Sequence, residues 1–293
     1  MRSLACFAVV GIAACSTKLP KQEPSTTTKP ARDPWATPSG SAGSAGSAGS
    51  AGSAEPVPKW ASDPPNVLRD KVTGVNAHVI VLKSQTTFAE YRDVLTVVEG
   101  TPGVIAAEPF IFSELEISSK TSKTPVSFAL KGVEPARVGR VLTVGRNIKS
   151  GTMDSLGKNE PPRIVIGDVL ARTLGVDVGG DVTITAPKQS TAAYDLDVLA
   201  KMKPTVFRVG GTFHMDFDEY DERLAFAPLS AVQAMLGRGD QVMGIEMTVK
   251  DLDKSGKLAK AIEDKLGGPP YQAMDWYELN KQLFTALYGD RRP

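Results

Sequence analysis

The sequence predicts an α+β protein: a split ferredoxin-like lobe with an inserted β-rich lobe, behind a disordered N-terminal tether. Three observations carry this. Strand–helix–strand patterns open at residue 76 and recur from residue 244; the interval between them alternates short strands with glycine-paired turns; and residues 16–65 show no pattern that a core could use.

The chain begins with a short apolar run, Leu4 to Cys15, preceded by Arg2. A helix needs roughly 20 apolar residues to cross a bilayer, so this run reads as an export signal over residues 1–14 rather than a span. Ile12-Ala13-Ala14-Cys15 has the form of a lipobox, which makes Cys15 the lipidated residue and the membrane partner a lipid anchor; an ordinary cleavage site is the competing reading. Cys6 falls inside the signal, leaving one cysteine and no intrachain disulfide. Residues 15–65 are Ser, Thr, Pro, Gly and Lys-rich and contain five copies of Gly-Ser-Ala between Gly40 and Ala54. Such a chain stays disordered and holds its cargo about 35–42 Å from the anchor on average.

The folded part is expected from residue 66, in three stretches: 66–150, an inserted lobe over 151–240, and 241–293. "NAHVIVLK" (76–83) reads as a strand. "TTFAEYRDVLTVVEG" (86–100) reads as a helix, with Thr87 and Glu90 at capping-box spacing and Phe88, Tyr91, Leu95 and Val98 on one face. Gly100 and Pro102 end it, and "VIAAEPFIFSELEIS" (104–118) returns as one long or bent strand paired with "PVSFALKGV" (125–133). The insert runs strand, helix and strand through "RIVIGDVLARTLGVDVGGDVTITAP" (163–187), then "TVFRVGGTFHM", "RLAFAPL" and a short helix "SAVQAMLG". "GIEMTVK", "KSGKLAKAIEDKLG" and "YQAMDW" repeat the opening unit. Last comes "DWYELNKQLFTALYG" (275–289), with Asp275 and Glu278 at N-cap and N3 spacing. Trp276, Leu279, Leu283 and Leu287 recur as an apolar stripe beside Phe284. The stripe is expected to pack back on the first lobe through Trp276 and Phe284; a frayed tail is the other reading.

A formal charge of +1 over 293 residues argues against a polybasic binder, so no nucleic-acid partner is expected. No phosphate loop, paired cysteine motif or nucleophile elbow is present, and His78 and His214 are the two histidines. "HMDFDEYDE" (214–222) gathers five acids around His214 without EF-hand spacing and reads as an exposed acidic turn rather than a metal site. No metal, cofactor or catalytic residue is expected. An enzyme would require His214 to meet a serine, or an acid of perturbed ionisation, in a pocket.

"VLRDKVTGVNAHVIVL", "IVIGDVLARTLGVDVGGDV", "VGGTFHMDFDEYDERLAFAPLSAVQAMLGRGDQVMGIEM" and "MDWYELNKQLFTAL" together resemble the periplasmic domain of the lipoprotein-releasing ABC permeases of the LolC/LolE type, within the MacB-like periplasmic core family. The resemblance covers residues 67 to about 287, and Asp275-Trp276, Asn280 and Leu283-Phe284 are its most specific elements. It implies a porter lobe (66–150 and 241–293) divided by a sabre lobe (151–240). It also implies a hook-like arm that captures a LolA-like periplasmic lipoprotein chaperone.

The corresponding interval is 186–207, where Leu196, Leu199 and Met202 would line one helical face just after Tyr194. It lacks a proline-rich tip, so a variable surface loop remains the alternative. A lipobox and tether stand where the permeases enter the membrane, so the expected function is a non-catalytic tethered interaction module of the periplasm. It would bind a chaperone, an ABC permease subunit or a lipoprotein, on the outer or inner membrane. A structural envelope lipoprotein and an excised transporter domain with a new anchor are the alternatives.

Overall fold

A computed structural model of the protein describes residues 59–84, 86–158, 160–187 and 196–289. The signal, Cys15 and nearly all of the tether lie outside the described residues, as does Tyr194. No helix among the described residues is long and apolar enough to cross a membrane.

Numbered along the chain, the porter lobe consists of β1 (Val79–Lys83), α2 (Tyr91–Glu99), β2 (Val104–Ser119), β9 (Gly244–Val249), α8 (Ser255–Lys265) and β10 (Tyr271–Asp275). Its strands lie in the order β10-β1-β9-β2 with every neighbour antiparallel. That is a ferredoxin-like sandwich cut between its second and third strands. Tyr91, Val94, Leu95 and Val98 of α2, with Ala259 and Ile262 of α8, bury one face of this sheet.

α2 starts at Tyr91 rather than at the Thr87 of the expected capping box. Both capping groups are engaged elsewhere. Thr87 Oγ1 donates to Gln241 Oε1 at 2.7 Å, Phe88 exchanges backbone bonds with Val242, and Glu90 pairs with Lys83 and accepts from the Tyr271 hydroxyl. Long-range partners outweigh a local cap worth about 1 kcal/mol.

β2 serves both lobes. Its last porter pairing is Phe110 with Gly244, and from Ile111 it pairs with β3 (Val126–Val133). β3 then runs parallel to β8 (Leu224–Pro228), so the expected boundary near residue 150 falls well after the point where the sheet changes lobes. The pairing continues through β5 (Arg163–Gly167) to β7 (Thr205–Phe213), and the far edge of β7 is divided between β4 (Ile148–Gly151) and β6 (Asp181–Thr185). β6 pairs again with β2. The β-rich lobe is therefore a closed ring of strands, which leaves few open edges to aggregate. Leu115, Ile117, Leu130, Ile164, Ile166, Val182, Ile184, Phe207 and Val209 belong to a core cluster that continues under the porter helices.

The opposite sheet face buries a second cluster, covered by α1 (Pro65–Val75), α9 (Trp276–Leu279) and α10 (Lys281–Tyr288). The terminal helix expected over 275–289 is thus two helices. The break falls at Asn280, which leaves helical geometry with φ −113° and ψ 16° and whose backbone and side-chain amides both donate to Trp276 O, at 3.2 and 2.7 Å. Asp275 and Glu278 form a reciprocal capping box. Trp276, Leu283 and Phe284 are buried with Leu68 and Val72 of α1, and Leu287 packs against them. Leu279 departs from the stripe and joins Ile80, Leu82, Phe110 and Met243 instead.

Candidate partner-binding surface

β6 and β7 form an antiparallel pair from Asp181–Arg208 to Ile184–Thr205, and the interval 186–204 connects them. Arg208 grips Asp181 with two hydrogen bonds, of 2.7 and 3.3 Å, and the Arg208 bond holds the Asp181 carboxyl below its usual range. That pair lies at the end of the ladder remote from the interval, which leaves the two strands beyond Ile184 and Thr205. The returning part of the interval is α5 (Leu196–Lys201), which packs against α7 (Leu229–Leu236).

The three arm residues on a common helical repeat do not share a role. Leu199 is 7% exposed and belongs to the main core, so it is not presented to a partner. Met202 and Val198 are half-buried and pack on that core, and the side chain of Leu196 lies outside the described residues. What the surface offers instead is a cleft between α5 and α7. Val198, Met202, Ala234, Met235 and Leu236 form its apolar lining, with Lys201 and Lys203 beside it. Beyond Thr205 the depression continues past Ala231 to Pro162. A cleft that combines apolar side chains with two exposed ammonium groups suits a segment that carries both apolar groups and negative charge.

The acidic turn is not the exposed feature expected. Residues 218–223 form a short helix, α6 (Asp218–Arg223), and Asp221 is 1% exposed, accepting the Met215 and Phe217 amides at 2.7 and 3.3 Å. His214 Nδ1 lies 3.0 Å from Asp168 Oδ1 and 3.2 Å from Asp221 Oδ2, while Nε2 lies 2.9 Å from Asp216 Oδ1. Asp168 opens α4 (Asp168–Leu174), some distance away in sequence, and nothing local in the chain announced it. Ligand atoms of Asp168, His214 and Asp221 fall within 4.8 Å of one another, close enough for a cation. The imidazolium form already supplies that positive charge, because carboxylates face both ring nitrogens. The Asp168 hydrogen bond raises the His214 pKa above the ordinary value, against burial. The close approach of α6 also needs Gly167, since a Cβ there would sit 2.2 Å from the Asp221 carbonyl oxygen. Gly167→Ala is expected to cost about 1–3 kcal/mol in chemical denaturation.

A raised histidine pKa means that the contribution of the cluster is complete below about pH 6.5 and is lost as the pH climbs through the higher folded value. His214→Gln should therefore be distinctly less stable than the native protein at pH 5.5 and nearly equal to it at pH 8.5. Urea unfolding at the two pH values reads the difference directly. His78 takes no part; its ring nitrogen accepts the Val249 amide, and burial lowers its pKa.

The profile of the MacB-like periplasmic core domain matches residues 50–265. The chain belongs to this family. Among curated proteins, this periplasmic core domain is similar to the lipoprotein-releasing system transmembrane protein LolC of Xylella fastidiosa strain Temecula1, with 27% identity over 220 residues, 75% of this chain and 51% of that protein. LolC of Neisseria meningitidis serogroup B is 22% identical over 225 residues, 77% of this chain and 52% of that protein. The chain thus spans about half the length of the curated relatives it matches.

Among solved structures, the periplasmic region of MacB from Actinobacillus actinomycetemcomitans aligns with a TM-score of 0.46 and 12% identity, over 74% of this chain and 97% of that one. The extracellular domain of the noncanonic ABC-type transporter YknZ from Gram-positive bacteria aligns with a TM-score of 0.43 and 13% identity, over 67% of this chain and 99% of that one.

Proposed function

We propose that this periplasmic core domain is a non-catalytic interaction module, tethered to an envelope membrane through lipidated Cys15, which captures a lipoprotein chaperone of the LolA type. The observation that carries the reading is the cleft between α5 and α7, placed where the β6–β7 arm returns to the barrel and combining an apolar lining with Lys201 and Lys203. Likeness to the lipoprotein-releasing LolC proteins supports this choice of partner. An ABC permease subunit or a lipoprotein would meet the same surface.

The test uses the purified full chain and a purified chaperone of that type in a calorimetric titration. Lys201 and Lys203 are exposed, so Lys201→Glu with Lys203→Glu leaves the core intact. A loss of more than about tenfold in affinity, or ~1.4 kcal/mol, is expected, together with weaker binding of the native protein at high salt. Equal affinity of the two proteins would remove the cleft from the account.

A further inference from the structure

A buried charge cluster stands where the porter sheet passes into the barrel, remote from the arm in sequence. Glu108 of β2 and Glu246 of β9 are direct cross-strand partners, a pairing that brings Cβ atoms to about 4.5–5.5 Å. Lys131 of β3 reaches Glu246 Oε2 at 2.6 Å and lies 5.6 Å from the centre of the Phe110 ring. The three residues are 0%, 1% and 5% exposed for Glu108, Glu246 and Lys131. Glu108 Oε2 accepts the Glu134 amide at 3.1 Å, whereas Glu108 Oε1 and Glu246 Oε1 are both buried without a hydrogen-bond partner.

Two carboxyl groups and one ammonium cannot all be charged here without leaving an uncompensated negative charge out of water, which costs far more than binding a proton. We propose that the Glu108–Glu246 pair is a proton-binding site: the folded protein holds one proton on it at neutral pH, residing chiefly on Glu108, because Glu246 is the carboxylate that Lys131 meets. The surroundings agree. Burial first, and then the facing Glu246, push the Glu108 carboxyl well above the ordinary range, while Lys131 and the Glu134 amide pull it down. Glu134 adds a further negative group. Arg137, beside α3 (Val138–Val141), is turned to Glu99 and the Ala107 carbonyl, and His78 on the far side of β9 is occupied by the Val249 amide. The proton thus sits two residues before β2 changes lobes.

A proton held more tightly by the folded than by the unfolded chain makes stability fall as the pH rises from about 4.3, the ordinary glutamate value, towards the folded value. Across that window the folding equilibrium should drop by up to about tenfold per pH unit. The test follows the side-chain carboxyl carbons of glutamate-labelled protein by NMR, with Glu108→Gln and Glu246→Gln as assignments. At pH 7 one neutral carboxyl signal is expected, absent in Glu108→Gln. In Glu246→Gln it should shift to the ionised position, because Lys131 then faces Glu108 alone. Two ionised carboxylates at pH 7 in the native protein would overturn the proposal. Urea unfolding gives an independent reading: Glu108→Gln should flatten the decline in stability between pH 5 and 7, and a slope identical to the native one would equally overturn it. His214 contributes the same slope to both proteins and cancels in the comparison.

Discussion

Trp276→Ala is expected to remove about 3–5 kcal/mol of stability, and Phe284→Ala a similar amount. Both rings are essentially inaccessible and meet edge-to-face at 5.6 Å, within the cluster that α1 and the terminal helices close over the sheet. Because the two side chains touch, the double variant should lose less than the sum of the single losses. Leu279→Ala, in the smaller cluster and half-buried, should cost clearly less. Urea unfolding midpoints of the four proteins decide the matter. A native-like midpoint for Trp276→Ala would mean that the terminal helices do not hold the domain together and leave their apolar stripe available to a partner.

Lys131→Met is expected to cost about 3–5 kcal/mol at neutral pH, because it strands Glu246 as a buried carboxylate without its counter-charge. The loss should shrink on acidification, when both Glu108 and Glu246 carry protons and the methionine side chain simply fills the space. Glu246→Gln combined with Lys131→Met removes both charges and should recover much of the stability. Equilibrium unfolding at pH 5 and pH 7.5 measures this. A loss of equal size at both pH values would assign the cost to packing instead of charge.

What the sequence revealed and what it hid divide along the range of the interactions. The two βαβ units were legible because the apolar run of 79–82, the alternation of 244–249 and the helical repeat of Tyr91, Leu95 and Val98 are local patterns that burial then uses. α1 also carries a local signal, since Pro65 opens it and Leu68, Val72 and Val75 recur along one side. The closed barrel was not legible: that β6 pairs with both β2 and β7 depends on partners far apart in the chain. The same holds for the candidate site. Met202 could be picked out by helical spacing, but the helix α7 that completes the cleft, and the core position of Leu199, emerge only when the strands have placed α5. Asp168, Glu108 and Lys131 carry no local signal at all; they acquire their chemistry from His214 and Glu246, which the fold brings to them.

The central claim is that the α5–α7 cleft meets the partner, and it is tested most directly inside the cell. A photo-crosslinking amino acid is placed at Lys203, beside the cleft, and in a second strain at Lys260, an exposed position on α8 of the porter lobe. The account predicts a covalent adduct with the periplasmic lipoprotein chaperone from position 203 and none from position 260. An adduct with that chaperone from 260 alone, or from neither position while the two proteins still co-purify, would contradict it.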